Sequence, residues 1–493
     1  MIRRFFKDAG FSGAAEVLIR LKGLVIMPLL TYHLGTVSYG AWSQVLVLVG
    51  ILGPFVTLAT ESGFMRHAAG HPIEVQKRYF SGWLLYILVN ASIVAGSLAV
   101  VRSYTAEVFF GDATTFAPFV LLASAILYFT AILNTARYWF LLRHSPRVYV
   151  VASVTQSALG VVAVIVTLIR KEGVYELVAY TLVGDVLLAA ALFALIARRG
   201  EFTRPDLTII RPALRFGLPL IPGALAVWAL NMMDRLFLVH FASLADIGVY
   251  SLAYTLGYTV IPVLARPLRM MYPSIATAAY NQGRKDDLQR IFNYSAGAVL
   301  ALTLPATVGM FVLGAPIVSI LAPPEFASAA PLIGLVALGY VFMTMASYFE
   351  LHLGFVFRQH WFSMSVIAAG LANFVLNLVL IPRYGILGAA IATTASFALQ
   401  FLISLAVSQF QPLVRIDLVF IAKVMAASLI MGAIIIGLRI LLFTQGANAY
   451  IEIVSIVVLG ITVYCSVMYL IGAIPTEKLS ILRGLMVTLL VWR

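Results

Sequence analysis

Arg20, Lys22, Arg137 and Arg235 stand inside long apolar stretches of this chain. A cation at membrane depth is costly unless it meets water, a partner or a ligand. Guanidinium and ammonium groups pair best with ionised oxygens, phosphates above all. These four positions therefore suggest a path for something anionic. Acids occur in similar stretches: Glu16, Glu61, Asp185, Asp234 and Glu350. Glu16 lies four residues before Arg20, where helical side chains meet, so the two either neutralise each other or leave Arg20 to a ligand. Lys22 has no acid at helical spacing, and Asp185, at comparable depth, is its candidate partner. Arg137 stands where it could either join the path or extend its stem to lipid headgroups. Asp234 and Arg235 are adjacent, point about 100° apart on a helix and need not pair. Asp185, Glu61 and Glu350 are the acids through which movement could be coupled to a cation gradient. No His/Asp/Glu group has metal-ligand spacing, no catalytic set stands out, and no Gly-rich loop ends in Gly-Lys to cradle a nucleotide. No metal and no cofactor are expected.

The elements that hold these residues are membrane helices. Hydrophobic residues make up 62% of the chain and charged residues 11%, with a mean hydropathy of +1.00. Soluble domains carry about 25% charged residues. About 20 apolar residues cross a bilayer, and fourteen stretches qualify. They run near 12–34, 39–64, 79–101, 116–142, 148–169, 174–197, 216–241, 247–271, 291–322, 328–357, 361–382, 385–409, 418–443 and 450–471. The expected fold is an all-α integral membrane protein. Residues 475–493 place Ile481, Leu485 and Leu489 at helical spacing with Lys478 and Arg483, which reads as a helix lying on the membrane surface. The first stretch has no small-residue cleavage site and reads as a mature span. Cys465 is the single cysteine; it excludes an intrachain disulfide and reads as packing.

Charge gives the orientation. With the N-terminus inside and the spans alternating, the outer segments hold Arg102, Arg170, Lys171, Arg383 and Arg439. The rest of the 33 basic residues, apart from the four within spans, fall inside. That asymmetry is the positive-inside pattern, and it explains the net charge of +13 without nucleic acid. Both termini are then cytoplasmic, and no loop is long enough for a catalytic or nucleotide-binding domain.

The chain also repeats itself. A shift of about 208 residues puts Gly40, Ser43 and Pro54 on Gly248, Ser251 and Pro262, and Trp42 on Tyr250. A shift of about 212 puts Gly173-Val174 on Gly385-Ile386. Two six-helix lobes in the same orientation follow, 1–200 and 201–412, related by an axis along the membrane normal. Residues 413–493 add two helices and the surface helix. Duplicated bundles commonly place a transported substrate between the copies.

One segment is distinctive: Phe216-Gly217-Leu218-Pro219-Leu220-Ile221-Pro222, then Trp228, Asp234-Arg235, Ile247-Gly248-Val249-Tyr250-Ser251 and Ala253-Tyr254. It resembles the polysaccharide-transporter (Wzx-type) branch of the multidrug/oligosaccharidyl-lipid/polysaccharide flippase superfamily. Leu29-Leu30, Leu34-Gly35, Tyr39-Gly40, Leu304-Pro305-Ala306 and the stretch from Ile381-Pro382 to Ala392 agree. The resemblance implies a non-enzymatic flippase moving undecaprenyl-pyrophosphate-linked oligosaccharides to the outer leaflet of the bacterial cytoplasmic membrane, for O-antigen, capsule or exopolysaccharide. It implies membrane lipids as surroundings and admits a polysaccharide polymerase and chain-length proteins as partners. Arg20, Lys22, Arg137 and Arg235 would form a ladder for the phosphates. Asn231, Asn373, Asn377 and Gln400 would serve glycan hydroxyls or bonds between helices. His33 and His352 read as interfacial. The rivals are a lipid II flippase, a cation-coupled drug exporter of the same superfamily and, from another class, a membrane-embedded polymerase or ligase.

Overall fold

The computed structural model describes residues 2–356, 358–409, 414–442 and 449–473, with side chains from Lys22 onward. The side chains of Glu16 and Arg20 and the surface helix expected at 475–493 lie outside the described residues. Within them the longer regular elements are α-helices. The first half holds α1 (Ile2–Thr57), α2 (Thr60–Ala68), α3 (Ile73–Val100), α4 (Arg102–Phe110), α5 (Ala113–Leu142), α6 (Pro146–Arg170) and α7 (Val174–Arg198). After a linker come α8 (Ile210–Gly217), α9 (Ile221–Phe241), α10 (Leu244–Asn281), α11 (Lys285–Leu321), α12 (Ala330–Phe355) and α13 (Gln359–Gln409). The last pair is α14 (Leu418–Leu442) and α15 (Ala449–Leu470).

Twelve of these helices are long and apolar enough to cross a membrane, and two are double. In α1 the backbone leaves helical geometry at Gly35 (φ 69°, ψ −178°). That region of conformational space is essentially open to glycine alone. Before it, Lys22 lies by Gly160 and His33 by Glu172, climbing α6; after it, Gln44 meets Arg235 and Gly50 meets Trp228, descending α9. The chain therefore reverses at Gly35. In α13 the break is at Gly385 (φ 54°, ψ −132°). Gly388 packs on Leu380, and the Ser365 and Ser404 hydroxyls are 3.4 Å apart, so both pairs centre on that turn. Fourteen crossings result among the described residues, the number expected. The second is shorter than the expected 39–64: Leu58 and Ala59 take left-handed backbone (φ 47° and 51°), and α2 starts anew beyond them.

Two apolar cores hold the halves. One joins α2, α3, α5 and α7 through Phe64, Phe80, Trp83, Trp139 and Phe140. The larger joins α10, α11, α12 and α13 and takes in Ile26, Met27, Leu30 and Tyr39 of α1. Burying each large side chain removes about 1.5–3 kcal/mol of apolar exposure in water. In lipid, close packing and hydrogen bonds carry more of the association. Consistent with that, glycines set the closest approaches. α14 and α15 pack against α11, through small clusters such as Leu313, Met431, Ile435 and Ile456.

The linker is fastened to the first half. Thr203 N–H donates to Ser81 Oγ at 3.2 Å and Asp206 N–H to the Arg78 carbonyl at 3.0 Å. The Arg78 and Asp206 side chains pair at 3.6 Å, Gly63 packs on Ala213, and Gly217 packs on Leu58. Arg66 lies 5.0 Å over the Phe216 ring. The Leu218–Leu220 3-10 turn then leads into α9.

Candidate functional site

The first polar cluster is buried between α5, α6 and α7. Asp185 Oδ1 accepts from Gln156 Nε2 at 2.7 Å and Oδ2 from Thr130 Oγ1 at 3.2 Å. Arg137 donates to Gln156 Oε1 at 2.9 Å, to the Ala152 carbonyl at 3.1 Å and to Asn134 Oδ1 at 3.2 Å. Gln156 thus relays between the cation and the acid. Arg137 Nε remains buried with no partner. Lys22 enters from α1, half-buried, and Gly160 makes room: a Cβ there would lie 3.3 Å from Lys22 Nζ. Lys22 lies within the electrostatic reach of Asp185, with no direct ion pair between them among the described residues.

The second cluster lies on α9 where the halves meet. Arg235 is 4% exposed and Asp234 1%, and they do pair, at 3.2 Å. The adjacency that seemed to separate them is overcome because Asp234 Oδ1 also accepts the Arg235 backbone N–H at 2.8 Å. Tyr250 donates to Asp234 Oδ2, and Thr393 reaches the same oxygen at 3.4 Å. The guanidinium lies 4.5 Å over the Tyr254 ring and 5.4 Å from that of Tyr250. Tyr254 and Tyr340 both donate to Asn231 Oδ1.

At this point the repeat becomes physical. Ser43 and Ser251, 208 residues apart, touch hydroxyl to hydroxyl at 2.8 Å. A Cβ on Gly40 would lie 2.0 Å from the Leu244 carbonyl oxygen, and one on Gly248 would lie 2.1 Å from that of Thr36. The contacts are reciprocal, as they must be where matching residues straddle a two-fold axis. Arg235 breaks the symmetry: its Nε donates to Ser43 at 3.1 Å and Ser251 at 3.2 Å. Gln44 Nε2 donates to the Arg235 carbonyl at 3.1 Å. Nearby, Thr31 donates to the Leu321 carbonyl at 2.6 Å, and the Thr36 N–H to Glu325 Oε1 at 3.1 Å. The halves are closed on each other at the Gly35 end.

A family model described as "Polysaccharide biosynthesis protein" matches residues 5–279. The chain belongs to that polysaccharide biosynthesis protein family. Among sequence relatives, the probable flippase AglR of Haloferax volcanii is 23% identical over 278 residues, 52% of this chain and 56% of that protein. The chain thus spans about half the length of that relative. Among solved structures, the lipid II flippase MurJ in an inward closed conformation superposes with a TM-score of 0.77, 15% identity and coverage of 94% and 98% of the two chains. An inward-facing multidrug resistance MATE family transporter gives 0.64, 15%, 80% and 98%. The fold of this family member is therefore the one shared by those two proteins.

Other candidates of this polysaccharide biosynthesis protein fall elsewhere. Arg137 does not extend to headgroups; it turns inward. The described cations fall in two clusters: Lys22 and Arg137 in the first, Arg235 in the second. Glu61 belongs to α2, beyond the break at Leu58, and its Oε2 is buried without a partner. Glu350 lies within the second half, accepting from Gln400 at 2.9 Å and Ser404 at 3.2 Å. His352 is not interfacial: it is buried and bonds Tyr272 at 2.7 Å. His33 Nε2 lies 2.8 Å from the Glu172 carbonyl oxygen. Cys465 is exposed rather than packed inside. Asn373 and Asn377 bond each other along α13 at 2.9 Å, and Gln400 serves Glu350. Composition and spacing gave no sign of Gln156, Gly160 and Gln44, which are uncharged and become significant only by contact.

Proposed function

We propose that this protein is a flippase for undecaprenyl-pyrophosphate-linked oligosaccharides in surface polysaccharide synthesis. The observation that carries the reading is the placing of Lys22, Arg137 and Arg235 between membrane-crossing helices, two of them buried, in a member of the polysaccharide biosynthesis family. A pyrophosphate needs cations at that depth, while its isoprenoid can stay in lipid. Lys22 is the first ligand, because it is half-buried and has no direct ion pair among the described residues. Arg137 and Arg235 stabilise the charge from the two halves, and Arg20 extends the set along α1.

In the proposed orientation α2 and α8 face the cytoplasm, with both termini, and the Gly35 end faces outward across the bacterial inner membrane. Lobes 1–200 and 201–412 rock against each other, with 413–493 appended. Asp185 is the acid proposed to couple a cation to transport, since it touches the network that holds Arg137; Glu61 and Glu350 are secondary, and Asp234 serves as Arg235's counter-charge. Polymerase and chain-length proteins are proposed to receive the product.

The test is a leaflet assay in inverted vesicles with labelled undecaprenyl-pyrophosphate oligosaccharide. Wild type should expose the label in the opposite leaflet, and Lys22→Ala should slow this at least tenfold. Movement of lipid II alone would sink the reading in favour of that substrate.

A further inference from the structure

We infer that Ser43 and Ser251 are positioning residues that turn Arg235 into a latch on the outer mouth, released when an anionic headgroup competes for the guanidinium. The inference rests on the flippase reading and goes beyond it by naming what links binding to opening.

The two hydroxyls are the same position of the repeat, one from each half, and they meet on the local two-fold axis. One guanidinium nitrogen, Nε, serves both. Parting the halves must lengthen at least one of those bonds, so Arg235 cannot keep its present contacts in an outward-open state. Both serines are buried, so a hydroxyl that loses its partner here is not readily rescued by water. The latch is thereby closed in the absence of a ligand.

A Cβ added at Gly23 would lie 3.8 Å from Thr255 Cγ2, and Thr255 is one helical turn, about 5.4 Å along the axis, from Ser251. Lys22, next to Gly23, therefore stands about one turn below the latch. A diphosphate held by Lys22 brings a second anionic centre toward Arg235. Ionised phosphate oxygens are stronger acceptors than hydroxyls, so the guanidinium is drawn from the serines. An uncharged headgroup lacks that advantage and leaves the mouth closed.

The test uses the full chain with Cys465→Ser and the pair Thr36→Cys and Glu325→Cys, which face each other at the same mouth and leave both serines in place, reconstituted in vesicles. Oxidant should cross-link the resting protein. Undecaprenyl pyrophosphate without sugar should slow the cross-link at least threefold, undecaprenol should not, and Arg235→Gln should remove the difference. Equal slowing by both lipids, or none by either, would overturn the latch. In the Cys-free chain, Ser43→Ala with Ser251→Ala should raise labelling of Thr255→Cys by an impermeant thiol reagent from outside. Ser43→Thr with Ser251→Thr should restore protection; protection unchanged in the alanine pair would also overturn it. Wild-type transport of the sugar-bearing lipid is scored separately. A pyrophosphate-sensitive cross-link without transport would keep the latch and reject the flippase.

Discussion

Single residues here divide into those that hold the fold and those that remain available. Asp234 is of the first kind. Removing one partner of a buried ion pair leaves an uncompensated charge, at about 3–5 kcal/mol. Asp234→Asn should therefore lower the thermal midpoint in detergent sharply, while Lys22→Gln should leave it within error and lower transport. Gly160 gives a sharper probe of the Lys22 position. Gly160→Leu should fill the space now held by the ammonium, mimicking Lys22→Ala in transport without its loss of charge; unaltered transport would move Lys22's role elsewhere. All the charged candidates were legible in the sequence because charge within an apolar run is conspicuous. Their neighbours were not: Gln156 and Thr130 look like ordinary polar residues of a span until α5, α6 and α7 bring them to Asp185. The pairing of Asp234 with Arg235 was also hidden, because a backbone N–H, silent in sequence, helps anchor the carboxylate.

At the scale of elements, the sequence predicted fourteen crossings, and its hydropathy sufficed to count them. The breaks were less visible, since glycine is frequent in spans and only φ shows which one turns the chain. Gly35→Ala should cost about 1–3 kcal/mol, the strain of a non-glycine residue in that conformation. Gly53→Ala, with nothing within 4 Å of its added Cβ and ordinary helical backbone, should be neutral or slightly stabilising. Comparison of the two by thermal melt separates a turn glycine from a mere small residue. The same logic applies to Gly40, where a methyl would press on the Leu244 carbonyl oxygen. Gly40→Ala should therefore push α1 off α10 and admit an impermeant thiol reagent at Thr255→Cys. The repeat pointed to Gly40 and Ser43 as matching positions of Gly248 and Ser251, but alignment alone could not say that the matched residues touch.

For the whole molecule, the decisive feature is how unevenly the linker is tied. From Glu201 to Gly217 it lies against the first half, and Asp206 is central to that attachment. The Thr208 hydroxyl and backbone, with Arg78, hold the Asp206 carboxyl below the usual carboxylate range. A depressed pKa contributes stability that is whole above about pH 4 and fades as the pH falls further. Proteolytic cutting between residues 199 and 206 should accordingly rise only in acid, and Asp206→Ala should allow it at neutral pH. Beyond Gly217 the chain is released into the Leu218–Leu220 turn and then α9. A helix anchored beyond one end and latched near the other is a lever. α9 has 21 residues, about 30 Å at 1.5 Å per residue, so a tilt of about 10° at its foot carries its tip about 5 Å. Stiffness in the short segment 218–220 then governs the stroke of the distant mouth. A small molecule wedged at that fulcrum would arrest the transporter while leaving its cation sites untouched.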